Sequence, residues 1–126
     1  MEKKKLGQWM LLAVVCLSFS VGEIYAQKHE FADFKRYAKE NATLAQPVKK
    51  EKRVVFMGNS ITEGWVRTHP DFFKTNGYIG RGISGQTSYQ FLLRFREDVI
   101  NLAPALVVIN AGTNDVAENT GPYNED

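Results

Sequence analysis

Three short polar, glycine-rich blocks hold the residues of this chain that could do chemistry. They span residues 58–64 (GNSITEG), 80–87 (GRGISGQT) and 112–115 (GTND). The first follows the run 53–57, which is apolar after Arg53, the second a short apolar pair at 78–79, and the third the apolar run 105–110. Continuous apolar runs favour buried parallel strands, and in parallel sheets functional groups gather at the carboxyl ends of the strands. We therefore expect the three blocks to lie at one edge of a sheet.

The first block offers a candidate nucleophile, Ser60. Gly58 allows the backbone to turn sharply after the strand, so that the Ser60 hydroxyl can point outward. The structural alternative is that Ser60 caps the next helix, and the block alone leaves both interpretations open. The block is not the G-x-S-x-G elbow of α/β-hydrolases, because Gly64 lies four residues after Ser60.

The second and third blocks offer hydrogen-bond donors. Residues 80–87 match G-x-G-x-x-G, but the preceding strand is weak and Asn110 stands where a dinucleotide site needs an acidic residue. The backbone N–H of Gly85, near a helix start, could instead stabilise an oxyanion, or the glycines could serve a tight turn. The Asn114 side chain could also donate to an oxyanion, although Asn114 and Asp115 are common turn formers. No lysine follows the glycines, which excludes a P-loop.

The intervening segments predict helices around a parallel sheet. Apolar spacing predicts helices over 29–41, 70–75 and 86–102, with a linker at 42–52. The buried face of the 86–102 helix is predicted to hold Tyr89, Leu92, Leu93, Arg96, Val99 and Ile100, with Arg94, Glu97 and Asp98 outside it. The two apolar strands should be covered on both faces, which indicates an α/β fold.

Taken together, Ser-Ile-Thr, Gly-Ile-Ser-Gly-Gln-Thr and Gly-Thr-Asn-Asp, in this order, resemble the SGNH (GDSL-type) ester hydrolases. The resemblance covers about residues 53–123, and the wider sequence is similar to the secreted, acetylhydrolase-like branch. It implies a flavodoxin-like three-layer parallel sheet. It also implies that Ser60 is the nucleophile and that the Ser60 and Gly85 N–H groups and the Asn114 amide form the oxyanion hole. The residues implied to support these loops are Gly58, Asn59 and Asp115.

Two features depart from the family pattern. Asn59 stands where the family has Asp, and it can accept similar hydrogen bonds without charge, so we expect modest effects. The family's Asp-x-x-His block, which supplies the acid and the base, does not occur. The histidines present are His29 and His69, and nothing in the sequence orients either toward Ser60. We therefore expect a domain that is incomplete at its C-terminus, and a chain that is nearly inactive on its own.

The N-terminus has the pattern of a secretory signal peptide. A basic stretch at 3–5 precedes the apolar run 9–21, and Ala26 offers a cleavage site. The 13-residue run is shorter than the roughly 20 residues of a spanning helix, although an uncleaved anchor is the alternative. Cleavage would remove Cys16, the sole cysteine, and would leave a net charge of +1. We expect a secreted or periplasmic protein with a signal peptide at 1–26, a helix and linker at 27–52, and the hydrolase domain at 53–126.

The expected function is hydrolysis of small or carbohydrate esters. The near-neutral charge gives no reason to expect a nucleic-acid or membrane-surface partner. No cluster of histidines, cysteines and carboxylates has metal-ligand spacing, so we expect neither a metal nor a cofactor. A non-catalytic module that binds a carbohydrate ester or carboxylate is the main alternative, and a dinucleotide-binding domain is a weaker one. In a doubly wound sheet with the strand order 2-1-3-4-5, this chain would supply strands 2, 1 and 3. The third strand, at 105–110, would then be an exposed edge that could favour self-association.

Overall fold

The computed structural model describes residues 31–122, and residues 32–122 belong to one compact unit. The predicted signal peptide and His29 lie outside the described residues. The helices are α1 (Lys35–Thr43), α2 (Ser60–Thr68), α3 (Pro70–Asn76), α4 (Ser88–Asp98), a 3-10 helix (Ile100–Leu102) and α5 (Thr113–Val116). The strands are β1 (Val54–Gly58), β2 (Tyr78–Gly82) and β3 (Leu106–Asn110).

The three strands form one parallel sheet in the order β2-β1-β3. The predicted α/β fold and the 2-1-3 strand order are confirmed. Gly58 of β1 pairs with Gly82 of β2 and with Asn110 of β3, so the carboxyl ends of all three strands are level. The three polar blocks therefore leave the sheet at one edge, as their positions after the strands predict.

Helices α2 and α3 cover one face of the sheet through aromatic side chains. Phe56 packs edge-on against Trp65 of α2 and Phe73 of α3, with ring centroids 5.5 and 5.3 Å apart. Helix α2 approaches β2 so closely that a Cβ on Gly80 would lie 2.2 Å from a methyl carbon of Val66. The glycines of β2 are thus required for helix packing. β2 extends to Gly82, three residues beyond the predicted 78–79.

Helix α4 and the 3-10 helix cover the opposite face. The buried apolar residues there are Val55, Met57, Phe91, Val99 and Leu102. At the β2 edge of the sheet, the Tyr37 hydroxyl of α1 donates a hydrogen bond to the Gly82 carbonyl. The β1 and β2 strands therefore lie between two helical layers.

The predicted buried face of α4 is largely wrong. Tyr89 and Leu92 are 57% and 76% exposed, whereas Arg94 and Asp98, predicted to lie outside that face, are 0% and 3% exposed. Val99 is buried as predicted. Apolar residues occur on both sides of this helix, so spacing alone could not identify the side toward the sheet. Backbone carbonyls at the strand ends need donors, and Arg94 supplies them.

The other differences are local. The helix predicted at 29–41 is interrupted by a positive φ of 50° at Asp33. Residues 31 and 32 are helical, and α1 then runs from Lys35 to Thr43. Helix α2 was not predicted as an element. β3 is apolar but largely exposed. The prediction that helices cover both faces of this strand is therefore wrong, whereas the prediction of an exposed edge agrees with the structure. Within residues 31–122, no helix is long and apolar enough to cross a membrane.

Candidate active site

The first block turns directly from β1 into α2. The side chain of Asn59 caps this helix by accepting a hydrogen bond of 3.1 Å from the Ile61 N–H, and Asn59 is 1% exposed. Ser60 is the first helical residue and is exposed. The capping alternative for Ser60 is therefore wrong, because Asn59 is the cap. The helix begins at Ser60, so its N-terminal N–H groups and its positive dipole end lie at this residue.

The second block leaves β2 as a tight turn. The Ile83 N–H still donates to the Gly58 carbonyl, at 3.0 Å, and the Gln86 N–H closes the turn on the Ile83 carbonyl at 3.3 Å. Gly85 lies at the exposed tip with φ +78°, in the left-handed region that favours glycine. The turn alternative is thus correct for the backbone of Gly85. Within residues 31–122, the Gly85 N–H makes no hydrogen bond.

The third block binds the second through side chains. The Asn114 amide donates a hydrogen bond of 2.9 Å to the Gln86 carbonyl, which uses one of its two N–H groups. The Asp115 carboxylate accepts from the Ser88 backbone N–H at 3.0 Å and from the Ser88 hydroxyl. Partial burial raises the pKa of Asp115, but these hydrogen bonds outweigh it and hold the pKa below its usual value. The block thereby closes on the start of α4.

A side chain that the sequence did not single out joins the first block to the second. The Glu63 carboxylate of α2 accepts from the Ser84 N–H at 3.1 Å and from the Ser84 hydroxyl, and it forms an ion pair of 2.9 Å with Arg36. The Ser84 hydroxyl and the Arg36 guanidinium lower the pKa of Glu63 despite some burial. The i, i+3 spacing of Ser60 and Glu63 could have indicated a shared helix face, had α2 been predicted.

Arg94 is the second residue that sequence reasoning missed. Its guanidinium donates to the carbonyls of Gly58 and Arg81, at 3.2 and 2.9 Å, and to the side chains of Gln86 and Asp98. Burial lowers the pKa of Arg94, and the Asp98 carboxylate opposes that effect. Arg94 therefore ties together the ends of β1 and β2 and the turn that bears Gly85.

The predicted site residues thus share one edge of the sheet. Gly58, Asn59 and Ser60 leave β1 there, Gly85 lies beyond β2, and Asn114 and Asp115 lie beyond β3. His69 is not with them. It follows the last residue of α2 and contacts the Thr68 hydroxyl, about 13 Å along the helix axis from Ser60. The structure therefore does not place His69 beside Ser60, toward which nothing in the sequence orients it. Among residues 31–122, no cluster of histidine, cysteine and carboxylate side chains could hold a metal.

Comparison with known proteins identifies a family that this chain matches. Residues 56–125 match the GDSL-like Lipase/Acylhydrolase family. A GDSL-like lipase from Bacteroides thetaiotaomicron VPI-5482 is 93% identical, with a TM-score of 0.74 over 76% of this chain and 47% of that structure. A proposed acylhydrolase from Bacteroides fragilis NCTC 9343 is 80% identical, with a TM-score of 0.74 over 75% of this chain and 46% of that structure. Comparison with curated proteins gave no match.

This chain spans less than half the length of each of these two structures. The family match, over residues 56–125, covers more than half of the chain and includes all three polar blocks. The parallel sheet agrees with the fold of these structures. The chain belongs to the GDSL-like lipase/acylhydrolase family.

Proposed function

We propose that this chain carries the nucleophile and the oxyanion-binding groups of a serine ester hydrolase. The observation that supports this most strongly is the convergence of three polar blocks at the carboxyl edge of one parallel sheet. Ser60 is exposed at a helix start, and the Gly85 turn and Asn114 are joined by hydrogen bonds through neighbouring residues. Such positions suit a nucleophile and donors aimed at a developing negative charge.

The proposed reaction has two steps. The Ser60 hydroxyl oxygen attacks the ester carbonyl carbon and gives its proton to a histidine base, and the carbonyl oxygen becomes an oxyanion held by the Ser60 and Gly85 N–H groups and the Asn114 amide. The C–O bond to the alcohol then breaks, and the alcohol takes the proton. Water attacks the acyl-Ser60 ester in the same way, and releases the acid.

The base must come from an Asp-x-x-His block, which this sequence lacks. Loss of a triad histidine costs on the order of 10⁶-fold in kcat in a serine hydrolase, with residual catalysis from the oxyanion hole. The chain alone should therefore be nearly inactive. In a protein that supplies the block, small esters or acetylated carbohydrates are the proposed substrates. The lipase and acylhydrolase names of the two relatives support ester hydrolysis in general.

A chimera tests the proposal. In it, this chain is followed by the remaining segment of the Bacteroides thetaiotaomicron relative, and hydrolysis of p-nitrophenyl acetate is measured. We expect turnover that Ser60→Ala abolishes, and a rate for the chain alone on the order of 10⁶-fold lower. Equal rates for the chimera and its Ser60→Ala variant would refute Ser60 as nucleophile. A chimera that binds acetylated sugars without hydrolysing them would favour the alternative, a non-catalytic ester-binding module.

We also propose that residues 1–26 direct the protein to the periplasm or the exterior. The basic start, the apolar run and Ala26 support this. N-terminal sequencing of the exported protein should begin at Gln27. A cytoplasmic protein that begins at Met1 would contradict it.

A further inference from the structure

Glu63 connects the helix that begins at Ser60 to the turn that bears Gly85. We infer that Glu63 is a positioning residue, which fixes the Gly85 N–H relative to the Ser60 hydroxyl through its two hydrogen bonds to Ser84. This inference rests on the proposed function, because it assigns a purpose to the distance between the nucleophile and the oxyanion donor.

The first step is the position of Glu63 on α2. It lies three residues after Ser60, so both side chains lie on neighbouring positions of the helix surface. The backbone of α2 lies so close to Gly82 that a Cβ on this glycine would be 2.3 Å from the Glu63 backbone nitrogen. The helix therefore has little room to shift toward β2. The backbone of Glu63 is therefore seated against the strand from which the turn emerges.

The second step is what Glu63 binds. Its carboxylate accepts from both the backbone N–H and the hydroxyl of Ser84, which restrains the residue from its main chain and its side chain at once. The next N–H along the chain is that of Gly85. Each peptide unit is planar, so only φ and ψ of Ser84 separate the peptide that Glu63 binds from the one that carries the Gly85 N–H. The bond to the Ser84 hydroxyl adds a second restraint on this residue, and the two together limit the directions open to the Gly85 N–H.

The far side of the same turn is held by other residues. The Asn119 amide donates to the Gly85 carbonyl at 3.1 Å, and the Asn114 amide to the Gln86 carbonyl at 2.9 Å. Both come from the segment after β3. Glu63 is the side chain of the nucleophile-bearing helix that binds this turn, so among these three contacts it is the one that joins α2 to the turn.

A carboxylate near an oxyanion site would oppose the developing negative charge. Arg36 lies 2.9 Å from Glu63 and offsets this charge. The Arg36 side chain is 46% exposed, so its pair with Glu63 is expected to contribute little to stability. Arg36 therefore offers a control, because replacing it removes the ion pair and leaves both Ser84 hydrogen bonds in place.

The first measurement is amide hydrogen exchange in this chain, with Glu63→Ala as the variant and Arg36→Gln as the control. We expect the Ser84 amide to exchange at least about tenfold faster in Glu63→Ala, since it loses its hydrogen bond to a charged acceptor. Arg36→Gln should leave the exchange unchanged. If Glu63→Ala does not fold, Glu63→Gln, which keeps an acceptor for the N–H and loses the ion pair, replaces it with a smaller expected change.

The second measurement is p-nitrophenyl acetate kinetics in the chimera. We expect Glu63→Ala to lower kcat about 10- to 100-fold with little change in KM, because the donor is misplaced in the transition state rather than removed. A merely structural role predicts lower stability with normal kcat for the folded fraction. Unchanged kcat in Glu63→Ala overturns the inference.

These outcomes separate the inference from the proposed function. Ser60-dependent turnover with normal kcat in Glu63→Ala removes the positioning role and leaves the hydrolase. A wild-type chimera without Ser60-dependent turnover removes the hydrolase. The exchange of the Ser84 amide then decides by itself whether Glu63 fixes the turn.

Discussion

Arg94 and Asp98 lie one turn apart on α4 and form an ion pair of 2.7 Å in which both side chains are almost fully buried, at 0% and 4% exposed. A buried ion pair adds little stability by itself, but removal of one partner leaves an uncompensated charge in the interior. Arg94 also satisfies the carbonyls of Gly58 and Arg81. Its loss would remove the Arg94 hydrogen bond to each carbonyl where the three blocks meet, although the Gly58 carbonyl would keep the Ile83 N–H as a donor.

Arg94→Met should therefore lower the free energy of unfolding by about 3–5 kcal/mol, measured by urea denaturation. The double variant Arg94→Met/Asp98→Leu removes both charges and should be less destabilised than the single one. Arg67→Met, at an exposed position, is the control and should stay within about 0.5 kcal/mol of wild type. An Arg94→Met variant as stable as the control would show that this network contributes no net stability.

The contrast between β1 and α4 shows how far the sequence could predict this structure. The apolar run of β1, with glycine after it, predicted the strand, the parallel sheet and the edge where Ser60, Gly85 and Asn114 lie. The buried face of α4 could not be predicted, because the guanidinium of Arg94 is buried by its need to satisfy carbonyls of β1 and β2. Such contacts depend on the assembled sheet, and local spacing carries no trace of them.

The same reasoning explains why helix α2 was missed and why β2 was predicted shorter than it is. Gly80 and Gly82 suggested a loop because glycine is rare in strands. In the structure these residues are part of β2, and their missing side chains leave room for α2. The low strand propensity of glycine was overridden by the close packing of α2 on β2, and α2 itself had not been predicted. The role of Glu63 was hidden for the same reason, since its partner Ser84 lies 21 residues away.

A pair of glycine substitutions tests this packing. A Cβ at Gly82 would lie 2.3 Å from the Glu63 nitrogen and 2.9 Å from the Asn59 carbonyl oxygen, and backbone atoms cannot rotate away. Gly82→Ala should therefore destabilise the protein by about 1–3 kcal/mol. Gly64→Ala, within α2 and with nothing within 4 Å, should stabilise it by about 0.5–1 kcal/mol. Thermal unfolding of both variants is the measurement, and equal shifts of the same sign would contradict the close approach of α2 to β2.

Asp115 should make stability depend on pH in acid. Its folded pKa is below the ordinary value of 3.8, so its contribution is present above pH 3.8 and is lost as pH falls through the folded pKa. Asp115→Asn should be less stable than wild type at neutral pH, and the two stability curves should converge in acid. Ser88→Ala removes one donor and should reduce the difference. Parallel curves for wild type and Asp115→Asn, from urea unfolding at each pH, would show that Asp115 does not contribute in this way.

Strand β3 should favour self-association of the chain. Within residues 31–122 it pairs with β1 on one side only, and Leu106 and Ile109 are 58% and 56% exposed. An apolar strand edge with free backbone groups can pair with another chain, and a charged side chain on that edge prevents it. We expect sedimentation velocity to show concentration-dependent association of the chain, and Ile109→Lys to weaken it. Val48→Lys, at a position 72% exposed and distant in sequence from β3, is the matched control and should associate like wild type. A chain that remains monomeric at all concentrations, or association that Ile109→Lys leaves unchanged, would show that this edge is not the contact.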